Sequence, residues 1–215
     1  MTESAPQVLA VILAGGEGQR LGGVIKANIE IGGKRLLLRV AEALEACDRP
    51  LLVAHGRIDP KMLALPGGFQ PVPDLASDYR GPLAGLAGAV GWLVAEDRSP
   101  DFLVTAAVDT PFLPSSFVGC ALAQLMEENA DAIIARCAGQ DYPTSAVWRF
   151  SSVRSLADRV MQGVAPHSLK RLGLELGAIY LDWPGAAADD PFANINTPED
   201  LQLLSARAAT ASANE

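Results

Sequence analysis

The chain has 215 residues and a formal net charge of −8, and 49% of its residues are hydrophobic. That apolar content is enough for one deep core, so we predict a single domain over residues 1–215, with flexible tails at about 1–7 and 208–215. The acidic balance disfavours a general binder of nucleic acids or membrane surfaces, because phosphate backbones and anionic lipids select basic faces. Since neither a long apolar run nor a basic hydrophobic leader is present, we expect a cytoplasmic protein without a membrane span.

The cysteine and histidine content argues against a zinc site and against a disulfide framework. Cys47, Cys120 and Cys137 are odd in number and show no Cys-x-x-Cys spacing. These features predict free thiols. The two histidines of the chain are too few for a zinc site built on imidazoles.

Short apolar runs alternate with amphipathic segments along the chain. Residues 8–13 are entirely apolar, which predicts a strand that is buried on both faces of a parallel sheet. Further strands are predicted at residues 51–54, 69–72, 102–108, 131–135, 145–149 and 178–181. Helices are predicted at about residues 36–46, 82–95, 116–128, 152–161, 168–172 and 198–208. This alternation predicts a doubly wound α/β fold with a mostly parallel sheet, made mixed by a late antiparallel strand at 145–149.

A glycine-rich loop follows the first predicted strand. Gly15, Gly16 and Gly18 permit a sharp turn with exposed amide N–H groups, and such an array suits an anion. Arg20 and Lys26 add positive charge just beyond the loop. These features predict a phosphate site; an ordinary glycine-rich turn between a strand and a helix is the alternative.

Two familiar phosphate loops do not match this sequence. Gly18 and Gly23 have the spacing of a Walker loop, but Val24 stands where that pattern needs lysine. The dinucleotide fingerprint fails as well, because Leu21 occupies the position of its third glycine. The loop therefore belongs to another class of phosphate-binding loop.

Asp109 is the candidate metal ligand. It stands at the carboxyl end of the predicted strand 102–108, the edge at which open α/β sheets bind ligands. Mg²⁺ usually takes one or two carboxylates together with phosphate oxygens, so a carboxylate fixed there beside Pro111 is suited to hold it. An aspartate that caps its own loop is the alternative.

Two further polar groups are candidates for substrate contacts. Asp74 and Asp78 lie in the loop that precedes the helix at 82–95, and one of them is expected to touch a nucleotide while the other satisfies loop backbone. Asn194 and Asn196 lie two residues apart in an extended piece, which places their amides on one side. They either reach a ligand or form local turns that aim the next helix.

Four motifs carry a resemblance to a known family. They are Leu13-Ala-Gly-Gly-Glu-Gly-Gln-Arg-Leu-Gly-Gly-Val-Ile-Lys26, Gly81-Pro-Leu-Ala-Gly-Leu86, Asp109-Thr-Pro-Phe-Leu-Pro114 and Asn194-Ile-Asn-Thr-Pro-Glu-Asp-Leu201. Together they span nearly the whole chain, and the chain resembles the molybdenum cofactor guanylyltransferase family within the nucleotidyltransferase superfamily. The resemblance implies a Rossmann-like nucleotidyltransferase topology. Gly16 favours guanine, since similar enzymes with Leu-Ala-Gly-Gly tend to use GTP and those with Leu-Ala-Ala-Gly tend to use CTP.

The resemblance also implies roles for individual residues. Nucleotide contacts would come from Leu13, Ala14, Gly15, Gly16, Lys26, Asp74 and Asp109, with Lys26 on the phosphates and Asp74 at the guanosine end. Asp109 would hold Mg²⁺, and Asn194 and Asn196 would face the molybdopterin. Arg20, Lys26 and Asp109 are the candidate catalytic residues.

The implied reaction transfers GMP from GTP to the terminal phosphate of molybdopterin and releases pyrophosphate. GTP and the molybdenum cofactor would be the substrates, with transient contact to proteins that deliver or accept the cofactor. Two alternatives stay open at this point. One is a related transferase that uses CTP or another nucleotide on a different phosphorylated acceptor. The other is a nucleotide-binding paralogue with little catalysis.

Overall fold

The computed structural model describes residues 5–16, 21–75, 79, 81–185 and 189–212. Strands β1 to β9 comprise Val8–Leu13, Glu30–Ile31, Lys34–Arg35, Asp48–Ala54, Phe69–Val72, Phe102–Ala107, Ala132–Cys137, Gln140–Arg149 and Ile179–Trp183. Helices α1 to α7 comprise Leu36–Ala43, Pro82–Ala95, Phe117–Glu127, Phe150–Val153, Leu156–Met161, Leu169–Glu175 and Pro198–Ser212. Short 3₁₀ turns lie at Lys26–Asn28 and Pro60–Leu63.

The main sheet has seven strands in the order β5-β4-β1-β6-β8-β7-β9. Strand β8 runs antiparallel to both of its neighbours, whereas the other adjacent strands pair in parallel. The predicted mixed, mostly parallel sheet is therefore confirmed. Because β1, β4 and β6 are parallel neighbours, their carboxyl ends meet at one edge of the sheet, and the loops that follow them lie side by side.

The sheet is covered on both faces, as its sequence predicts. All six residues of β1 are buried. Val8, Ala10 and Ile12 pack into one apolar cluster with α1 and α3, and the alternate residues of β1 pack into another with α2, α5 and α6. Since side chains alternate across a strand, helices must cover both faces of the sheet. This arrangement is the doubly wound α/β fold.

Several elements differ from their predicted bounds by a few residues, and three predicted elements differ most. Strand β8 begins at Gln140, because Ala138 and Gly139 have φ values of 48° and 80° and form a two-residue hairpin turn that pairs it at once with β7. The helix predicted at 152–161 is divided into α4 and α5, and the turn between them keeps apolar residues of both pieces buried. Helix α7 continues past its predicted end to Ser212, and its Ala208 is buried in a small cluster with Ile31.

The three cysteines are free, as their number and spacing predict. Cys47 and Cys137 are buried, whereas Cys120 is exposed. Burial raises the pKa of the Cys47 thiol to about 12, so this cysteine is protonated at neutral pH. Within the described part of the chain, no helix combines the length and the apolar character that crossing a bilayer needs.

Candidate active site

The loop after β1 contacts the loop after β4 at the carboxyl edge of the sheet. The Ala14 N–H donates to the Ala54 carbonyl at 2.8 Å, which carries the pairing of the two strands one residue further. At Gly15 the two backbones approach so closely that an added Cβ would lie 3.0 Å from the Cα of Gly56. A side chain at position 15 would therefore push the two backbones apart by a few tenths of an ångström. Gly16 follows it and is exposed.

A pocket opens at this edge and gathers residues from all four motifs. It is lined by Leu13, Gly15, Gly16, Lys26, Ala54, Asp74, Gly81, Pro82, Gly85, Ala107, Val108, Asp109, Thr144 and Asn194. Seven of the predicted site residues are thus brought together in one cavity. Ala14 lies fully buried behind it. The predicted catalytic residue Arg20 and the loop residue Asp78 lie outside the described residues.

Lys26 and Asp109 form an ion pair within the pocket. The Lys26 Nζ donates to Asp109 Oδ2 at 2.6 Å and to Asn196 Oδ1 at 2.9 Å. The side chains of the two charged residues are only 11% and 13% exposed. The 3₁₀ turn positions the lysine and the end of β6 positions the aspartate, so the Asp109 carboxylate offsets the positive charge that a phosphate would meet at Lys26.

The segment that carries Asn194 is attached to the loop after β6. The Ile195 N–H donates to the Asp109 carbonyl at 3.0 Å. One residue away, the Thr110 hydroxyl donates to Asn194 Oδ1 at 2.8 Å. The Asn194 side chain therefore makes a tertiary contact between distant parts of the chain.

The start of α7 fixes the backbone on the other side of Asn196. Asp200 Oδ2 accepts hydrogen bonds from the N–H groups of Asn196 and Thr197, both at 2.9 Å. The Asp200 N–H returns a bond to the Thr197 hydroxyl at 3.2 Å, so Thr197 caps the helix as the sequence predicts. These hydrogen bonds, led by that from Asn196, lower the pKa of Asp200 below its ordinary value. The cap holds the turn that presents Asn196 to Lys26.

Asp74 lies at the opposite side of the pocket, beside the loop after β4. Its Oδ1 accepts the Gly56 N–H at 3.1 Å. Burial raises the pKa of this carboxyl, although the hydrogen bond from Gly56 and the nearby His55 oppose the rise. An added Cβ at Gly85 would lie 3.0 Å from the Ala54 Cβ and 3.5 Å from Asp74 Oδ1. The glycine in α2 therefore keeps this end of the pocket open.

Thr144 is a pocket residue that the sequence analysis did not identify. The pairing of β7 with β8 shifts between Ile134 and Ala135, and residues 143–145 of β8 lie in the resulting bulge. The bulge places Thr144 on the lining of the pocket. Pro143 was a usable signal, because proline in an interior strand is found at bulges.

The donor set fits a divalent cation that binds together with a phosphate ligand. Asp109 and Asp74 are the carboxylates on the lining, and of these two Asp109 lies beside Lys26. Among the residues that the structure describes, no group of three histidine, cysteine, aspartate or glutamate side chains could enclose a metal. Mg²⁺ needs no such enclosure, since one carboxylate, phosphate oxygens and water complete its octahedron.

Comparisons with known proteins agree with this geometry. The sequence profile of the MobA-like NTP transferase domain matches residues 10–175. A molybdenum cofactor guanylyltransferase of Rhodopseudomonas palustris (strain BisB5) is 34% identical over 91% of each chain. A protein of the same name from Nitrobacter hamburgensis is 32% identical over 94% of each chain.

Solved structures show the same fold. The molybdopterin-guanine dinucleotide biosynthesis protein A of Archaeoglobus fulgidus superposes with a TM-score of 0.70 at 23% identity, over 97% of this chain and 100% of that one. The 2-C-methyl-D-erythritol 4-phosphate cytidylyltransferase of Thermus thermophilus superposes with a TM-score of 0.64 at 20% identity, over 95% and 99%. The fold is thus shared by proteins whose names refer to different nucleotides, whereas the two sequence relatives given above carry the same name. The chain belongs to the MobA-like NTP transferases and, among them, to the molybdenum cofactor guanylyltransferase family.

Proposed function

We propose that this protein transfers GMP from GTP to the terminal phosphate of the molybdenum cofactor and releases pyrophosphate. The observation that carries the proposal is the pocket in which the glycine loop, Lys26, Asp109 and Asn194 meet. They come from three of the four motifs, and together they offer backbone amides, a cation, a carboxylate and an amide. That combination suits two phosphorylated substrates and a metal.

GTP would bind across the carboxyl ends of β1 and β4. The backbone of Leu13, Ala14, Gly15 and Gly16 would contact the nucleotide, and the ammonium of Lys26 would bind its phosphates. Asp74 would accept hydrogen bonds from the guanosine, since one of its oxygens is held by Gly56 and guanosine offers N–H and hydroxyl donors. Arg20 would add a second cation near the phosphates.

The reaction needs no nucleophile from the protein. An oxygen of the acceptor's terminal phosphate would attack the α-phosphorus of GTP in line and form a new P–O bond. The bond from that phosphorus to the oxygen bridging the β-phosphate breaks, and its electron pair leaves with pyrophosphate. The chain contributes by holding both substrates in this geometry and by placing Lys26 beside the charge that develops.

Asp109 would hold Mg²⁺ against the phosphates. Bound there, the cation would neutralise phosphate charge and assist departure of pyrophosphate. Asn194 and Asn196 would contact the acceptor from the α7 side of the pocket. Proteins that deliver or accept the molybdenum cofactor would contact the enzyme transiently.

The first test is calorimetric titration of the purified chain with GTP, CTP and ATP in Mg²⁺. We expect a clear preference for GTP. The second test supplies molybdenum cofactor together with GTP and measures both pyrophosphate and the guanine dinucleotide. Equal affinity for the three nucleotides, or GTP binding without pyrophosphate release when acceptor is present, would overturn the proposal. A preference for CTP would indicate a cytidylyltransferase with another acceptor.

A further inference from the structure

Thr110 is a buried residue that the proposed reaction does not use. It follows Asp109 at the end of β6 and is 1% exposed. Its hydroxyl donates to Asn194 Oδ1 at 2.8 Å, across 84 positions of sequence. Asn194 lines the pocket beside Asp109. The threonine therefore contacts a pocket residue from behind.

In this hydrogen bond the oxygen end of the Asn194 amide faces Thr110. A carboxamide has one accepting oxygen and one donating NH₂ group. Since Thr110 occupies the oxygen, the NH₂ group is left for the pocket. Asn196 has the same polarity, because its Oδ1 accepts from the Lys26 ammonium, which can only donate. Both asparagines therefore offer donors, which suit an anionic oxygen.

The Thr110 hydroxyl is not needed to hold the two chain segments together. The backbone bond from Ile195 to Asp109 already joins them at 3.0 Å. The Thr110 N–H is itself satisfied by the Ala107 carbonyl at 3.2 Å. The additional effect of the hydroxyl is to hold the orientation of the Asn194 side-chain amide.

We propose that Thr110 is a positioning residue that holds the Asn194 amide with its NH₂ group toward the pocket, where it donates to a phosphate oxygen of the acceptor. The inference rests on the proposed guanylyl transfer and names a determinant of acceptor binding. It assigns no contact between Thr110 and either substrate.

The test is a mutant cycle with steady-state kinetics in both substrates. Thr110→Val keeps the shape of the side chain and removes the hydroxyl, so the KM for the acceptor should rise about tenfold, the cost of one hydrogen bond to a charged group. The KM for GTP should stay within about twofold. Thr110→Ser should restore the acceptor KM, because serine retains the donor. Thr110→Ala provides the same test should valine prevent folding.

The decisive variant combines Thr110→Val with Asn194→Ala. If Thr110 acts through Asn194, the double variant should match Asn194→Ala alone, because residues that act as one unit are not additive. The inference would be overturned if the rise in acceptor KM of the double variant equalled the product of the two single-variant rises. An unchanged acceptor KM in Thr110→Val would also overturn it. A rise confined to the KM for GTP would also overturn it.

Thr105 offers a matched control. It is a fully buried threonine of β6 whose hydroxyl contacts Trp148 and Ala146 and does not line the pocket. Thr105→Val should lower thermal stability without changing either KM. Wild-type protein that releases no pyrophosphate from GTP and acceptor would refute the proposed function itself, whereas failure of Thr110→Val alone leaves that function standing.

Discussion

Lys26 and Asp109, 83 positions apart in sequence, form a 2.6 Å ion pair on the lining of the pocket. Each charge neutralises the other before any substrate is present. A nucleotide needs the lysine and a metal needs the carboxylate. Binding of the metal to Asp109 should therefore free Lys26 for the nucleotide, and binding of the nucleotide to Lys26 should free Asp109 for the metal. This pair predicts that nucleotide and metal bind with positive coupling.

Removal of Mg²⁺ should therefore weaken GTP binding in the wild-type protein. We expect a loss of about tenfold or more when GTP is titrated calorimetrically in EDTA, because Lys26 stays paired with Asp109. In Asp109→Ala the lysine loses its carboxylate partner, and a carboxylate that repels phosphate is gone. That variant should bind GTP more tightly than wild type in EDTA and should gain little from Mg²⁺. An unchanged dependence on Mg²⁺ in Asp109→Ala would contradict the coupling.

Lys26→Ala should weaken GTP binding about 10- to 100-fold in Mg²⁺, the cost of losing hydrogen bonds between an ammonium and phosphate. Lys34→Ala is the matched control, since Lys34 forms an exposed ion pair with Glu42 outside the pocket. The control should leave GTP affinity unchanged. If the two substitutions weakened GTP binding equally, Lys26 would contribute only as one positive charge of the protein and not as a specific phosphate ligand.

Asp109→Ala should lower Mg²⁺-dependent pyrophosphate release by about 100-fold or more, because the metal loses its protein carboxylate. Its unfolding should stay cooperative, since the Asp109 carbonyl still accepts the Ile195 N–H. Pyrophosphate release measured against Mg²⁺ concentration, with thermal unfolding alongside, tests both statements. Full activity in this variant would remove Asp109 from the metal site.

The raised pKa of Asp74 predicts an unusual pH dependence of stability. As pH rises above 3.8, the ordinary value, the unfolded chain loses this proton before the folded chain does. The contribution of Asp74 to stability therefore falls until pH passes the raised value of the folded state. Asp74→Asn, which keeps an acceptor for Gly56, should gain stability over wild type across that interval and should bind GTP more weakly.

Urea unfolding at a series of pH values checks the sign for Asp74. Asp200 supplies the opposite case, because its pKa is lowered by its hydrogen bonds. The contribution of Asp200 to stability is fully present above pH 3.8, the ordinary pKa, and it is lost as the pH falls through the lower pKa of the folded state. Asp200→Asn should therefore be least stable relative to wild type at neutral pH. If the difference in unfolding free energy from wild type changed with pH in the same direction for Asp74→Asn and Asp200→Asn, these assignments would be contradicted.

Gly88 of α2 should not tolerate a side chain. An added Cβ would lie 2.3 Å from the Pro73 carbonyl oxygen, so the helix or the Asp74 loop would have to move. Gly88→Ala should cost about 1–3 kcal/mol of unfolding free energy despite alanine's better helix propensity. Gly119→Ala in α3 is the control, since nothing lies within 4 Å of its added Cβ. It should stabilise by about 0.5–1 kcal/mol in the same urea titration.

Several features of the fold were determined by local sequence. The apolar run 8–13 predicted β1 because a strand covered on both faces has no polar side, and Thr197-Pro198 predicted the start of α7 because capping depends on adjacent residues. The four motifs likewise identified the family. The extent of β8, in contrast, depended on its pairing with β7 across the turn at Ala138 and Gly139. The polar residues at the start of β8 gave no local signal of this pairing.

The arrangement of the site was decided by tertiary structure alone. The family resemblance assigned Lys26, Asp109 and Asn194 to one site, but their mutual contacts depend on which strand ends lie side by side. The ion pair, the Thr110–Asn194 hydrogen bond and the placement of Thr144 by a bulge all join segments far apart in the chain. Local patterns fix which chemical groups are available, whereas distances and the polarity of an amide arise only when strand order and loop packing bring those groups together.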